Sequence, residues 1–522
     1  MMHFPKRAIL IVVAACSSES GSNNGTVPLV CASNTYDLNG RSTDGCEYVC
    51  TRTSDVDPID DEFKDDNCDG TDGVADQCVF VSEQGVDVPL GGSRTAPVRT
   101  IGYAIQIASE QSKSVCVGGG TFSETIFVPQ QAVPIYGGFD ASDALMPFRR
   151  GREAITRVEA TSIGIVASNA NEVRVESIEF RVHAANAGGN AHGVVSSGDG
   201  TVTIHGCTFE VDDGIGGADG ASGKEGTAGV AGHTGGPGGD YRAGGVAPSS
   251  SCGPAGNGGD GALYPAKSGE DGSSAGSILA PGGSGGDAGT SGKSGSDGED
   301  SKVVGSSGSM GAAEPAALRA SNAGVSSSAG GNGGPGGTGH GGGGGGGSGY
   351  VGLCVDAGAS CKYNGAGGGS GGAGGCGGGG GSGGSGGGSS IGLVALRGKI
   401  VMDQTTLRVG SGGGGGRGGA GGNGGKGASG AEGASTYEPA VTGGGGGRGT
   451  AGGPGGPAAG GNGGHSVCFV TNVDTISLTN SSCTRGKSGS AGQGGSGVIV
   501  RGPDGNAGFA YDWYDLTTRK GR

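Results

Sequence analysis

The sequence predicts an all-β fold: a right-handed parallel β-helix with an N-terminal capping helix and large glycine-rich insertions leaving from one corner. Three observations point there. Related segments recur with alternating apolar positions. Glycine, 133 of 522 residues, is concentrated between those copies. An apolar stripe at helical spacing precedes the first of them. Only 19 prolines accompany the glycine, which excludes collagen, where glycine fills every third place beside abundant proline. Apolar residues at 33% and aromatics at 4% exclude one large hydrophobic core. A net charge of −15, from 33 basic and 48 acidic residues, argues against a nucleic-acid partner.

At the N-terminus, Lys6 and Arg7 precede a short apolar run, Ala8 to Val13, and small residues before Cys16. The run is too short to cross a bilayer, which takes ~20 apolar residues, so it reads as a signal peptide over 1–15. Val13-Ala14-Ala15-Cys16 resembles a bacterial lipobox. That resemblance implies cleavage before Cys16, a diacylglycerol on its sulfur, and a membrane partner through the lipid anchor. Ser17 and Ser18 follow in place of a retention aspartate, which by the same resemblance implies the outer membrane or cell surface. Residues 16–30 read as a Ser/Gly/Asn tether.

Residues 31–78 hold five cysteines and little apolar material, so disulfides are expected to staple them. The pairing is open. Excluding Cys16, thirteen cysteines remain, an odd number that leaves at least one thiol without an intramolecular partner. Asp65, Asn67 and Asp69 alternate, Gly70 stands sixth and Asp76 twelfth, the offsets of an EF-hand calcium loop. The flanks do not read as helices, and Cys68 lies within the loop. The stretch also resembles Cys- and Asp-rich "NCDG-x-D" metal-binding segments of surface proteins, notably from myxobacteria. Together these make Asp65, Asn67, Asp69, Asp72 and Asp76 the candidate calcium ligands. A solvated, disulfide-stapled acidic linker is the alternative.

Residues 79–211 open the β-helix. Val98, Ile101, Ala104, Ile105 and Ala108 form the helical stripe. Then 163–182 and 192–211 match at an offset of 29: Val173 with Val202, Val175 with Ile204, Ile178 with Cys207, Phe180 with Phe209 and Val182 with Val211. Residues 391–409 repeat the pattern through Ile400, Met402, Thr405, Leu407 and Val409. Residues 465–485 give a degenerate copy through Val467, Ile476, Leu478, Ser481 and Cys483. A fifth is expected from Gly497-Val498-Ile499-Val500, within 465–522, with Tyr511, Trp513 and Tyr514 packing on the last coil. One such unit cannot bury its inward face, but stacked copies can.

The phrases Thr95-Ala96-Pro97 with Arg99-Thr100-Ile101, Gly120-Thr121-Phe122 with Glu124, and Ile135-Tyr136-Gly137-Gly138-Phe139 are similar to the pectin-lyase-like β-helix superfamily. In that family the helix caps the open end of the solenoid, as a bare sheet edge requires. The family also contains polysaccharide lyases and hydrolases, which makes a carbohydrate-binding or polysaccharide-degrading activity the alternative function. Asp212-Asp213 and His205-Gly206 are the pairs to weigh, but their order is reversed relative to that family and both lie in one coil. Asp199, Arg174 and Arg408 are weaker still. No catalytic set is assembled, and an enzyme is not expected.

The insertions at 212–390 and 410–464 leave after the same strand and return before the same next strand. The second has 29 glycines in 55 residues. Two states are open: a solvated disordered loop, since ordering costs ~1–2 kcal/mol per residue, or a bundle of polyglycine-II strands with three residues per turn. These stretches resemble in composition the glycine-rich domains of PE-PGRS proteins. Residues 391–409 are the β-helix coil between the two. The functional expectation is a non-catalytic lipoprotein of the cell envelope with a structural, adhesive or display role, whose partners would be extracellular polysaccharide or matrix.

Overall fold

Val173 lies beside Val202, Val202 beside Ile400, and Ile400 beside Ile476, each in a parallel strand pair. Phe180, Phe209, Leu407 and Cys483 make a second such column. The computed structural model describes residues 30–38, 41, 43–128, 130–142, 148–168, 172–238, 241–262, 276–277, 280–281, 289, 292–315, 317–349, 364–436, 441–472 and 476–522. Among them the chain is almost entirely β, in three long, mainly parallel sheets.

Sheet I runs from Cys78–Val81 through Ser114–Gly118, Ile135–Asp140, Glu172–Glu176, Thr201–His205 and Lys399–Asp403 to Ile476–Thr479. Sheet II contains Gly120–Phe122, Thr156–Thr161, Glu179–His183, Thr208–Val211, Thr406–Val409 and Ser482–Arg485. Sheet III contains Ile126–Phe127, Ile163–Ala167, Ala191–Ser196, Ser390–Ala395, Ser466–Thr471 and Ala510–Asp515, with Lys520–Gly521 added antiparallel. From Ile163 to Asp515 the parallel strands of these sheets follow one another in the order III, I, II. Alternating inward residues from all three sheets share one core, in which Phe180 and Phe209 stack at 4.6 Å. Each strand alone would leave that face wet; neighbours stacked at the ~4.8 Å strand spacing bury it.

The helix Ile101–Gln111 buries Ile101, Ala104, Ile105 and Ala108 in that core beside Val79 and Val81. Thr100 Oγ1 accepts from Tyr103 N–H, while Glu124 accepts from Ile101 and Gly102 N–H at 2.8 Å, satisfying first-turn donors that have no partner within the helix. Sheet III is buried on both faces. Its outer face, with Val195, Ile391, Val394, Val470 and Tyr514, is covered by Leu318 and Val325.

The fifth strand of the repeat is not at 497–500. Val498, Ile499 and Val500 are exposed, and sheet III continues instead at Ala510–Asp515, pairing Tyr511 with Val467 and Trp513 with Phe469. The physical reason is that 486–496 and 502–508 form an out-and-back pair, Gly502→Gly495, Gly505→Gly492 and Gly508→Gly489, whose turn contains the apolar triplet.

Large parts of the glycine-rich insertions are built on the same principle, and hydrogen bonds recur at every third residue. Gly214, Gly217, Gly220 and Gly223 donate to Ser411, Gly414, Arg417 and Ala420, so those segments run parallel. Segment 365–388 is central. It bonds antiparallel to 215–236, 413–434 and 330–348, and parallel to 444–462. A three-residue repeat is that of an extended polyproline-II-type helix, whose groups can reach neighbours on several sides. Gly371 makes the spacing explicit: a Cβ there would stand 2.0 Å from the Gly342 carbonyl oxygen. The disulfide Cys252–Cys376 ties the central segment to a further stretch of the first insertion.

Candidate functional site

Polar chemistry converges where the acidic segment meets sheet I. Disulfides Cys31–Cys46 and Cys50–Cys68 staple that segment, and Cys78–Cys116 joins the first two strands of the sheet. Asp65 accepts from Asp69 and Gly70 N–H, Asn67 Oδ1 from Asp69 N–H, and Asp69 from Thr71 and Ala75 N–H. These three are thus gathered in one turn, with Gly70 at φ +89°. Asp76 is exposed in the short helical turn Ala75–Gln77. Asp72 is directed elsewhere.

Asp72 is buried against Arg150, which donates to it at 2.9 Å from Nη1 and to Glu176 at 2.9 Å from Nη2. Arg150 is fully enclosed and also packs over the Phe63 ring at 5.2 Å. Burial pushes the Asp72 carboxyl up to about 6, outweighing the adjacent guanidinium. Desolvation does the same to Asp57, which accepts from Asp66 and Gly73 N–H. Arg174 takes the second Glu176 oxygen at 2.7 Å.

One layer further along the sheet stands His205. Its Nε2 lies 2.9 and 3.0 Å from the two Asp61 oxygens, and its Nδ1 lies 3.2 Å from Asp403. Asp61 comes from the acidic segment, Glu176, His205 and Asp403 from successive strands of sheet I. Gln404 Nε2 also donates to Asp61, at 3.3 Å. Asp61, Glu176 and His205 each offer a ligand atom within 4.8 Å of the others, so this group, rather than the 65–76 loop alone, has the composition of a metal site. An open groove of about 390 Å³ borders it, lined by Asp61, Phe63, Arg152, Glu179, His205 and Gln404. Sequence reasoning missed Asp61, Asp403 and Arg150. Asp61 is 144 residues from His205, and no local motif signals such a pairing.

The other polar residues weighed in the sequence have separate partners. Asp212 pairs with His183 at 2.9 Å, and Asp213 accepts from Ser411 N–H. Arg408 pairs with Glu210 at 2.9 Å, and Asp199 is exposed. His192 and His465 are buried, and desolvation lowers both to about 4. His192 Nε2 accepts from Val325 N–H and His465 Nδ1 from Phe509 N–H. Cys207 is a buried free thiol, whereas Cys16, Cys354 and Cys361 lie outside the described residues. Among the described residues no helix is long and apolar enough to cross a membrane. No family model, no curated protein and no solved structure matches this chain.

Proposed function

We propose that this protein is a non-catalytic scaffold of the cell envelope: a right-handed parallel β-helix of the pectin-lyase-like kind, closed at one end by the helix Ile101–Gln111 and anchored through lipid on Cys16. The observation that carries the reading is the three-residue hydrogen-bond lattice of the glycine-rich segments. A lattice in which backbone satisfies backbone admits small side chains such as those of Ser370 and Ala373, leaves larger ones such as those of Arg417 and Lys426 exposed, and needs little apolar core. It supports a polyglycine-II bundle built as a broad, stiff surface rather than bristles. Its role would be structural, adhesive or for display, toward polysaccharide or matrix, and calcium in the 65–76 loop would belong to the disulfide-stapled acidic segment.

Hydrogen exchange on the mature protein, read by mass spectrometry, tests the core of this reading. Peptides within 365–388 should be protected to a degree comparable with strands of the sheets. Exchange at the rate of an unfolded chain across 365–388 and 443–464 would remove the scaffold reading. Depolymerisation of an acidic polysaccharide by the purified protein would replace it with the enzymatic alternative. Loss of labelled palmitate incorporation in Cys16→Ser would support the anchor.

A further inference from the structure

We propose that Asp61, Glu176 and His205 form a binding site for one transition-metal cation of the zinc type, which latches the acidic N-terminal segment onto sheet I. His205 presents Nε2 to Asp61 and Nδ1 to Asp403. A neutral imidazole has a single N–H and can donate to one carboxylate only. If Asp403 takes that hydrogen, the Nε2 lone pair faces two carboxylate oxygens, an arrangement that repels unless a cation stands between them.

The arrangement around His205 is the one a metal-bound histidine uses. Such residues commonly give their second N–H to a carboxylate, which fixes the tautomer and aims the ring. Asp403 occupies that position, and its Oδ1 is buried without a hydrogen-bond partner. Metal–ligand distances of about 2.0–2.1 Å place neighbouring ligand atoms of a tetrahedral zinc roughly 3.3 Å apart. The 2.9–3.0 Å between Nε2 and the Asp61 oxygens is close to that spacing, and the third ligand atom is within 4.8 Å.

Charge favours a divalent ion. Asp61, Asp72, Glu176 and Asp403 supply four carboxylates against the two guanidiniums of Arg150 and Arg174. Two negative charges remain around a neutral imidazole, and one divalent cation balances them. Glu176 is shared with both arginines, but a carboxylate has about four lone-pair positions and the arginines use three, Arg150 Nη2 on Oε1 and Arg174 Nε and Nη2 on Oε2, which leaves one on Oε1. A nitrogen ligand beside two carboxylates selects a zinc-type ion over calcium, which takes oxygen ligands. The groove beside His205 provides access and room for water to complete the shell.

The test is titration of the metal-stripped full-length mature protein with Zn²⁺, and separately with Co²⁺ as a spectroscopic probe. One zinc per chain is expected, with a Co²⁺ absorption spectrum characteristic of nitrogen and oxygen ligands in four-coordination. Asp61→Asn and His205→Gln should each weaken binding at least tenfold. Asp61 is half-exposed, so its variant is expected to fold even if the histidine variant does not. Asp65→Asn with Asp69→Asn should leave zinc affinity within twofold, separating this site from the neighbouring loop. Zinc should also slow proteolysis within 51–77. Absence of saturable zinc binding, or equal binding by folded Asp61→Asn, overturns the proposal; the cluster is then an imidazolium clasp between two carboxylates.

Discussion

Arg150 Nη1 stands 2.9 Å from the Asp72 carboxylate, and the two side chains expose 0% and 1% of their surface. The contact joins the disulfide-stapled segment to sheet I, and Glu176, in the strand Glu172–Glu176 of that sheet, completes it. Removing the guanidinium leaves Asp72 buried without a counter-charge. Breaking one side of such a pair costs about 3–5 kcal/mol, far more than an exposed ion pair is worth. Arg150→Met should therefore lower stability by several kcal/mol in urea titration and accelerate proteolysis within 51–77. A loss below ~1 kcal/mol would show that Asp72 escapes burial by becoming protonated or by turning to solvent.

Acid should act on two parts of the molecule with opposite signs. His192 and His465 are held down at about 4, so below the ordinary histidine value near 6.5 the unfolded chain binds protons that the folded one refuses. Their contribution is fully present above that value and is lost as pH falls toward 4. Asp57 and Asp72 are raised to about 6, so the folded chain takes their protons first and that segment gains as pH falls from about 6 toward 4. Hydrogen exchange at pH 7 and pH 4.5 should show sheet III weakening relative to the acidic segment. His465→Asn keeps an acceptor for Phe509 N–H without a titrating ring, and should flatten the melting temperature below pH 6.5. An unchanged slope in that variant would refute the assignment.

Within the glycine lattice, adjacent residues should differ sharply. A Cβ on Gly378 would sit 2.1 Å from the Gly422 carbonyl oxygen, and on Gly380 2.0 Å from that of Gly333. On Gly379 the nearest atom is Lys224 N at 3.0 Å. Gly379 shares its phase with Ser370, Ala373, Cys376, Ser382 and Ser385, all small residues already accommodated there. Gly378→Ala and Gly380→Ala should each cost at least the ~1–3 kcal/mol of a tight overpacking, and Gly379→Ala much less. Equal effects at all three, read by local hydrogen exchange, would contradict the lattice.

Cys207 lies inside the main core, 1% exposed, and burial pushes its thiol up to about 12. Since the thiolate is the reactive form, iodoacetamide should leave this position unmodified for hours in the native protein and label it promptly in denaturant. Native labelling at Cys207, mapped by mass spectrometry, would mean that the coil opens locally far more often than its packing implies.

Much of the parallel stacking was legible because its buried residues recur in columns: Val173 with Val202 and Phe180 with Phe209 are neighbours in sequence pattern and in space. The helix stripe was legible for the same reason. Val498-Ile499-Val500 misled because an apolar triplet resembles a strand, whereas Tyr511 and Trp513, spaced two apart, carry the alternation that sheet III uses. The calcium-loop offsets identified a real turn through Asp65, Asn67 and Asp69, but Asp72 is taken by a buried arginine 78 residues away. His205 was visible as a residue and not as a site. Its partners arrive from 61 and 403, and only the stacking of sheet I brings them together.

The three-residue repeat imposes a grammar on how this chain can lengthen. Each segment leaves the parallel sheets and returns beside them, so an outgoing and an incoming stretch must grow together. Adding a triplet to both extends a lobe by about 9 Å at 3.1 Å per residue, and the strands of the coil remain in place. Adding a single residue rotates every later position by a third of a turn and turns residues such as Ser382 or Arg417 into neighbouring carbonyls. Length variation among natural versions of such a lobe should therefore come in paired multiples of three, with one-residue changes confined to the turns.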